Sequence, residues 1–151
     1  IILLSVKETA ERIKIKLSCA YIDATTQLKE MKVKGRDLST GLPKQLTINT
    51  HQVKAAMAES IETIVDAIKI TLEKTPPELS ADIIEKGIYL TGGGALIDGL
   101  DKLISIETHM PVFVADDPLT CVVRGTGKIV EDETIADKIN TSTKILRQGE
   151  F

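Results

Sequence analysis

The feature that most constrains this chain lies at residues 88–94, where the apolar run Ile88, Tyr89, Leu90 is followed, after Thr91, by Gly92, Gly93 and Gly94. An apolar run this short, bounded by turn residues, suits a buried central strand. Glycines let the backbone turn immediately, because there is no Cβ to clash. Beyond them the pattern predicts a helix over 98–105, a strand over 111–115 and a helix beginning near Pro118, where a first-turn proline is tolerated. Strand, helix, strand, helix is the alternation of an α/β layer with parallel strands.

Upstream, residues 7–17 place Ala10, Ile13 and Leu17 at helical spacing with charges opposite, which predicts one amphipathic helix. Residues 31–36 and 45–50 alternate apolar and polar around Asp37, Ser39, Gly41 and Pro43, the pattern of a hairpin with a long loop. Thr50 is placed to cap a long helix whose apolar stripe is Val53, Met57, Ile61, Ile64, Val65, Ile68 and Leu72, ended by Pro76 and Pro77. A short helical segment is expected over 79–85. The expected organisation is a smaller α+β lobe over residues 1–66, an α/β lobe over 67–130 and a polar tail over 131–151 that frays. A first residue of Ile rather than Met suggests a fragment or a processed chain.

Composition narrows the function classes. With 42% hydrophobic and 27% charged residues over 151 positions, the chain reads as globular, burying roughly 68–70% of its unfolded surface. The aromatics are Tyr21, Tyr89, Phe113 and Phe151, without Trp, so the core is aliphatic and a base-stacking platform is missing. A net charge of −3 with mixed signs offers no basic field, so nucleic acid is not an expected partner. Cys19 and Cys121 lack metal or redox spacing and read as reduced core thiols. His51 and His109 have no second ligand at metal spacing and read as surface residues. Asp116 and Asp117 fit a helix N-terminus better than a catalytic pair, and no Ser or Cys has a partnered base. No run reaches the ~20 apolar residues of a membrane helix.

The glycine cluster suits an anion or nucleotide, because backbone without side chains can approach a ligand and a helix N-terminus presents free N–H groups. The dinucleotide fingerprint fails at Ile97, where a third glycine is needed, and a Walker A loop fails at Leu100 and Asp101. Gly127-Lys128 fails as well, because residue 122 is Val. A bare triple glycine equally suits a tight turn whose glycines serve packing.

Context goes further. LTGGGAL at 90–96 resembles the adenosine-side loop of the actin, sugar-kinase and heat-shock-chaperone superfamily. Residues 75–103 and 117–128 (DPLTCVVRGTGK) resemble the MreB-type bacterial actins, as do TAERIKIKLSCAY at 9–21 and KVKGRDLSTGLPKQLTI at 32–48. The hairpin segment resembles MreB and not the sugar kinases or chaperones. The resemblance covers about residues 3–130 and implies the C-terminal half of such a protein: a partial actin-like, ribonuclease H-like α/β fold corresponding to subdomains IIA and IIB. Val6-Lys7 and residues 18–22 depart from the family pattern, and residues 131–151 match nothing recognised.

The resemblance also implies function. Glu11, Arg12, Ile13 and Lys14 would face the base and ribose from one wall, and Gly92, Gly93, Gly94, Ala95 and Leu96 would lie beneath the adenosine. A Glu carboxylate can accept ribose hydroxyls, and a Lys stem can lie on adenine; from the residues alone, Glu11 and Lys14 are an ordinary surface pair. The implied cofactor is ATP, with Mg²⁺ in the intact protein and its ligands in the N-terminal half. Implied partners are further copies in a filament, other cell-shape proteins and, through that same half, the membrane; the implied location is cytoplasmic, in membrane-associated filaments. Lacking the phosphate loops, these residues alone are expected to have no ATPase activity. The alternatives are another actin-superfamily ATPase, sugar-kinase-like or chaperone-like, and an interaction module independent of nucleotide.

Overall fold

A computed structural model describes residues 3–4, 7–132 and 134. Helix α1 (Lys7–Leu17) follows the short strand β1 (Leu3–Leu4), and the hairpin β2 (Glu30–Asp37) and β3 (Pro43–Asn49) leads into the long helix α2 (Thr50–Glu73). Then come α3 (Pro77–Lys86), β4 (Ile88–Leu90), a 3-10 turn (Gly93–Leu96), α4 (Leu100–Thr108), β5 (Val112–Val114) and α5 (Cys121–Glu131). Two sheets result. β1, β2 and β3 pair antiparallel in that order, while β4 and β5 pair in parallel across the α4 crossover. The parallel pair confirms the α/β layer expected from the alternation. The predicted tail over 131–151 lies almost wholly outside the described residues.

Several expectations need correction. Thr50 does not cap α2. Asn49 does, accepting from the Gln52 backbone N–H at 3.0 Å, while the Gln52 side chain accepts from the Asn49 N–H at 3.0 Å, a reciprocal capping box. Thr50 is drawn elsewhere: its hydroxyl accepts from the Lys29 N–H at 3.0 Å and donates to the Lys29 carbonyl at 3.2 Å, tying α2 to the residue that precedes β2. The prolines do not simply stop α2, which ends at Glu73; Pro77 opens α3 at the first turn, where its missing N–H costs nothing. Helix α5 begins after Pro118 rather than at it, because the Pro118 carbonyl is taken by the Gly92 N–H at 2.7 Å.

The core lies between α2, α4 and the β4–β5 pair. Ala20, Ile61, Val65, Leu100 and Ile104 are buried together, with Met57, Ile68, Ile88, Leu90, Leu103 and Val112 packed against them. It is aliphatic, as the composition requires. The stripe of α2 is mostly inward, but Ile64 is 45% exposed. Nor is β4 a buried central strand among the described residues: its sheet neighbour is β5, and Tyr89 is 65% exposed. The reason is one-sided coverage, since the packed residues of β4 are Ile88 and Leu90, and Tyr89 points to the other face.

Candidate functional site

Helix α1 presents Glu11, Arg12 and Lys14 to solvent and half-buries Ile13. Glu11 and Lys14 form an ion pair at 2.8 Å, each more than half exposed. Ile13 and Lys14 line an open cavity of about 720 Å³ whose other walls include Val33, Leu46, Ile48, Val53 and Met57. Residues 92–96 are not among those that line it.

The glycine turn stands at the C-terminal end of β4. Gly92 has φ of 79°, a conformation L side chains rarely adopt. Gly93 and Gly94 enter the 3-10 turn, in which Ala95 is buried and Leu96 is 56% exposed. A Cβ at Gly92 or Gly94 would meet nothing within 4 Å, and one at Gly93 would make only an ordinary contact with Leu119 at 3.6 Å. Gly93 and Gly94 are thus required neither by backbone conformation nor by packing. Elsewhere glycine is compelled: Gly99, at φ of 71°, has the Tyr21 carbonyl only 2.7 Å from where a Cβ would sit.

A short strap ties the two stretches together. From the last residue of α1 onward the chain buries Leu17, Ser18, Cys19 and Ala20, and Cys19 bridges Asp98 in parallel, with the Ala20 N–H donating to the Asp98 carbonyl at 2.8 Å. Asp98 follows the glycine turn by four residues, so the end of α1 and the start of α4 share one backbone ladder. Burial pushes the Cys19 thiol up, aided by the Asp98 carboxylate, and its Sγ donates to the Tyr21 carbonyl. Past the strap, Asp23 accepts from the Lys102 ammonium at 2.7 Å and from the Thr25 N–H and hydroxyl, and these donors hold its carboxyl well below the usual range. Lys29 reaches Asp98 at 3.5 Å. Sequence reading did not single out this polar clasp; the Asp-x-Thr-Thr run, an Asx-turn signature, was its one available signal.

Other candidates behave simply. His51 and His109 are exposed, and His109 terminates α4 in a left-handed conformation. Cys19 is a buried free thiol; Cys121 is half-buried, with its Sγ on the Asp117 carbonyl. The Asp117 carboxylate accepts from the Thr120 hydroxyl at 2.6 Å just ahead of α5. Among the described residues, no cluster of His, Cys, Asp or Glu is placed to hold a metal, and no helix is long and apolar enough to cross a membrane.

An α/β layer with a glycine turn after its first strand, strapped to a hairpin lobe, is part of an actin-like fold. The structure superposes on MreB5 of Spiroplasma citri bound to ADP with a TM-score of 0.81 at 33% identity, over 91% of this chain and 41% of that one. It also superposes on the MamK double helical filament with a TM-score of 0.69 at 22% identity, a likeness of fold alone. Residues 2–138 match the family described as MreB/Mbl protein, and the chain belongs to that family. It is 48% identical over 126 residues to the cell shape-determining protein Mbl of Bacillus subtilis (strain 168), covering 83% of this chain and 37% of Mbl. It is equally identical over 123 residues to the cell shape-determining protein MreB of Escherichia coli (strain K12), covering 82% of this chain and 35% of MreB. The chain therefore spans a little over a third of the length of these relatives.

Proposed function

We propose that this chain carries the adenosine side of the nucleotide cleft in an ATP-binding, filament-forming protein that organises bacterial cell shape. One observation carries the reading: Gly93 and Gly94 leave the backbone clear where neither packing nor conformation demands glycine, and the clearance faces solvent. A loop so bared admits close approach of a flat ligand. The ADP and AMPPNP complexes of Spiroplasma citri MreB5 supply the ligand class. In this reading residues 92–96 lie under the adenosine, Glu11 takes the ribose hydroxyls and Lys14 lies along the base, with Arg12 and Ile13 completing that wall. The lobes over residues 1–66 and 67–130 are its two walls, and α2 runs through both.

Phosphate and Mg²⁺ contacts belong to the remaining part of an MreB-type chain, so these residues alone bind ATP at millimolar concentration or weaker, about −4 kcal/mol, and do not hydrolyse it. Assembly into filaments with further copies, contact with other cell-shape proteins and a cytoplasmic, membrane-associated location complete the proposal. Titration with ATP while following amide shifts tests it. Shifts at residues 92–96 and 11–14 together support the shared pocket. Silence at both in a folded sample selects a module independent of nucleotide, a reading favoured by the absence of residues 92–96 from the lining of the cavity under α1.

A further inference from the structure

Lys102 stands where its own helix gives it no support. It is the third residue of α4, in a first turn that also carries Asp101, and the N-terminal end of a helix favours negative charge over positive. Its partner lies outside the helix: the Lys102 ammonium donates to Asp23 Oδ2 at 2.7 Å, across 79 positions of chain. The other carboxylate oxygen is already committed. Asp23 Oδ1 accepts from the Thr25 N–H at 2.8 Å, the Thr25 hydroxyl at 2.7 Å and the Thr26 hydroxyl at 3.0 Å, while the Asp23 N–H donates to the Thr26 hydroxyl at 2.9 Å. The half-buried carboxylate is therefore oriented by its own turn, and the loss of side-chain freedom that weakens most surface pairs falls on the lysine alone. By contrast, Glu11–Lys14 and Asp82–Lys86 each lie within a single helix and join nothing distant.

What the pair joins matters more than its strength. On one side is the segment that follows α1, and on the other the start of α4. Beside the pair run the Ala20–Asp98 backbone bond, the looser Lys29–Asp98 pair at 3.5 Å and the close approach of Gly99 to the Tyr21 carbonyl. Lys29 is held in turn by Thr50, the first residue of α2. Residues 18–29 thus fasten the hairpin sheet to the α/β layer at one junction.

We propose that Asp23 and Lys102 form an ionic latch, which holds this junction closed at low ionic strength and lets it open as salt rises. Its release parts residues 18–20 from Asp98, and so loosens the spacing between α1 and the glycine turn. The donors on Asp23, Lys102 first, keep its carboxyl well below the usual range, and Asp23, with a smaller contribution from Asp101, raises the pKa of Lys102. Both groups therefore stay charged around neutral pH, and screening by salt is what weakens the latch. The latch needs no nucleotide and is independent of the reading proposed above.

Native-state amide hydrogen exchange on the full chain tests this. The Ala20 amide donates across the junction and reads its opening, while the Ile88 amide, which donates to the Pro111 carbonyl within the α/β layer, is the control. Raising salt from about 0.01 M to about 1 M should speed Ala20 exchange about fivefold and change Ile88 by less than about twofold. Asp23→Asn, which keeps an oxygen for the Thr25 and Thr26 donors, and Lys102→Gln should each give that acceleration at low salt and abolish the salt response. Lys102→Arg keeps the charge and should behave as the parent chain does. Because Lys102→Gln removes a cation from a helix N-terminus, weakening of α4 itself does not account for faster exchange in that variant. An Ala20 amide indifferent to salt and to both substitutions overturns the proposal. So does equal acceleration at Ile88, which makes the opening global.

Discussion

The 3-10 segment and the turn that follows it use glycine for opposite reasons. At Gly99 the chain closes on itself: φ is 71°, and the Tyr21 carbonyl fills the place of a side chain. At Gly93 and Gly94 there is no left-handed backbone and no crowding, so nothing inside the described chain explains them. Gly87 sides with Gly99, with φ of 78° and the Pro111 carbonyl 2.7 Å from a would-be Cβ. The contrast separates glycines that make the fold from glycines that keep a surface clear.

The largest effect should come from breaking the first class. Gly99→Ala and Gly87→Ala should each destabilise by about 2–4 kcal/mol, since strained backbone and overlap with a carbonyl add; denaturant unfolding reads this, and a loss below about 0.5 kcal/mol would remove the distinction. Gly94→Val sharpens the other side. It should leave the unfolding midpoint nearly unchanged and weaken ATP-induced amide shifts at residues 92–96 about tenfold, an effect of ~1.4 kcal/mol on binding.

The same contrast extends to charged groups. Asp37 is buried and satisfied within the chain by Lys44 at 2.9 Å and the Ser39 N–H at 2.8 Å, which bring its carboxyl down to about 2 from the usual 3.8. A carboxyl lowered on folding contributes stability above its unfolded pKa and loses it as pH falls through the folded one. Melting temperature should therefore drop between about pH 3.8 and about pH 2, and Asp37→Asn should flatten that part of the profile. Glu11, in an exposed pair with Lys14, sits with the open class. Glu11→Gln should change stability by no more than a few tenths of a kcal/mol, and a fall in ATP-induced shifts without a change in melting is the expected signature.

Much of the fold was legible before any coordinates. Helix α1 falls on residues 7–17 as read, the hairpin surrounds the predicted loop, and the parallel β4–β5 pair follows from the alternation around residues 88–115. These are local periodicities, and local periodicity is what a sequence displays directly. Capping was misread because Asn49 and Thr50 are both competent caps, and only the position of Lys29, brought alongside by the hairpin, assigns Thr50 elsewhere. The burial of β4 and Ile64 was overestimated for a related reason: an apolar residue declares a preference for burial without declaring what covers it.

The candidate site divides in the same way. Residues 90–96 and 9–21 suggested the proposed nucleotide loop and opposing helix only by resemblance, each from a contiguous stretch of chain. The strap joining them, from Ser18 to Ala20 onto Asp98, and the Asp23–Lys102 clasp join residues about eighty positions apart and leave no periodic trace.

By itself, then, the sequence determined the order and type of elements, the aliphatic core and the membership of the MreB/Mbl family, because these depend on side-chain pattern along a contiguous chain. Only the tertiary structure decided which glycines are crowded and which stand open, and which cap holds α2. Those are questions of what sits within a few ångströms across space, and the answer comes from residues far away in the chain.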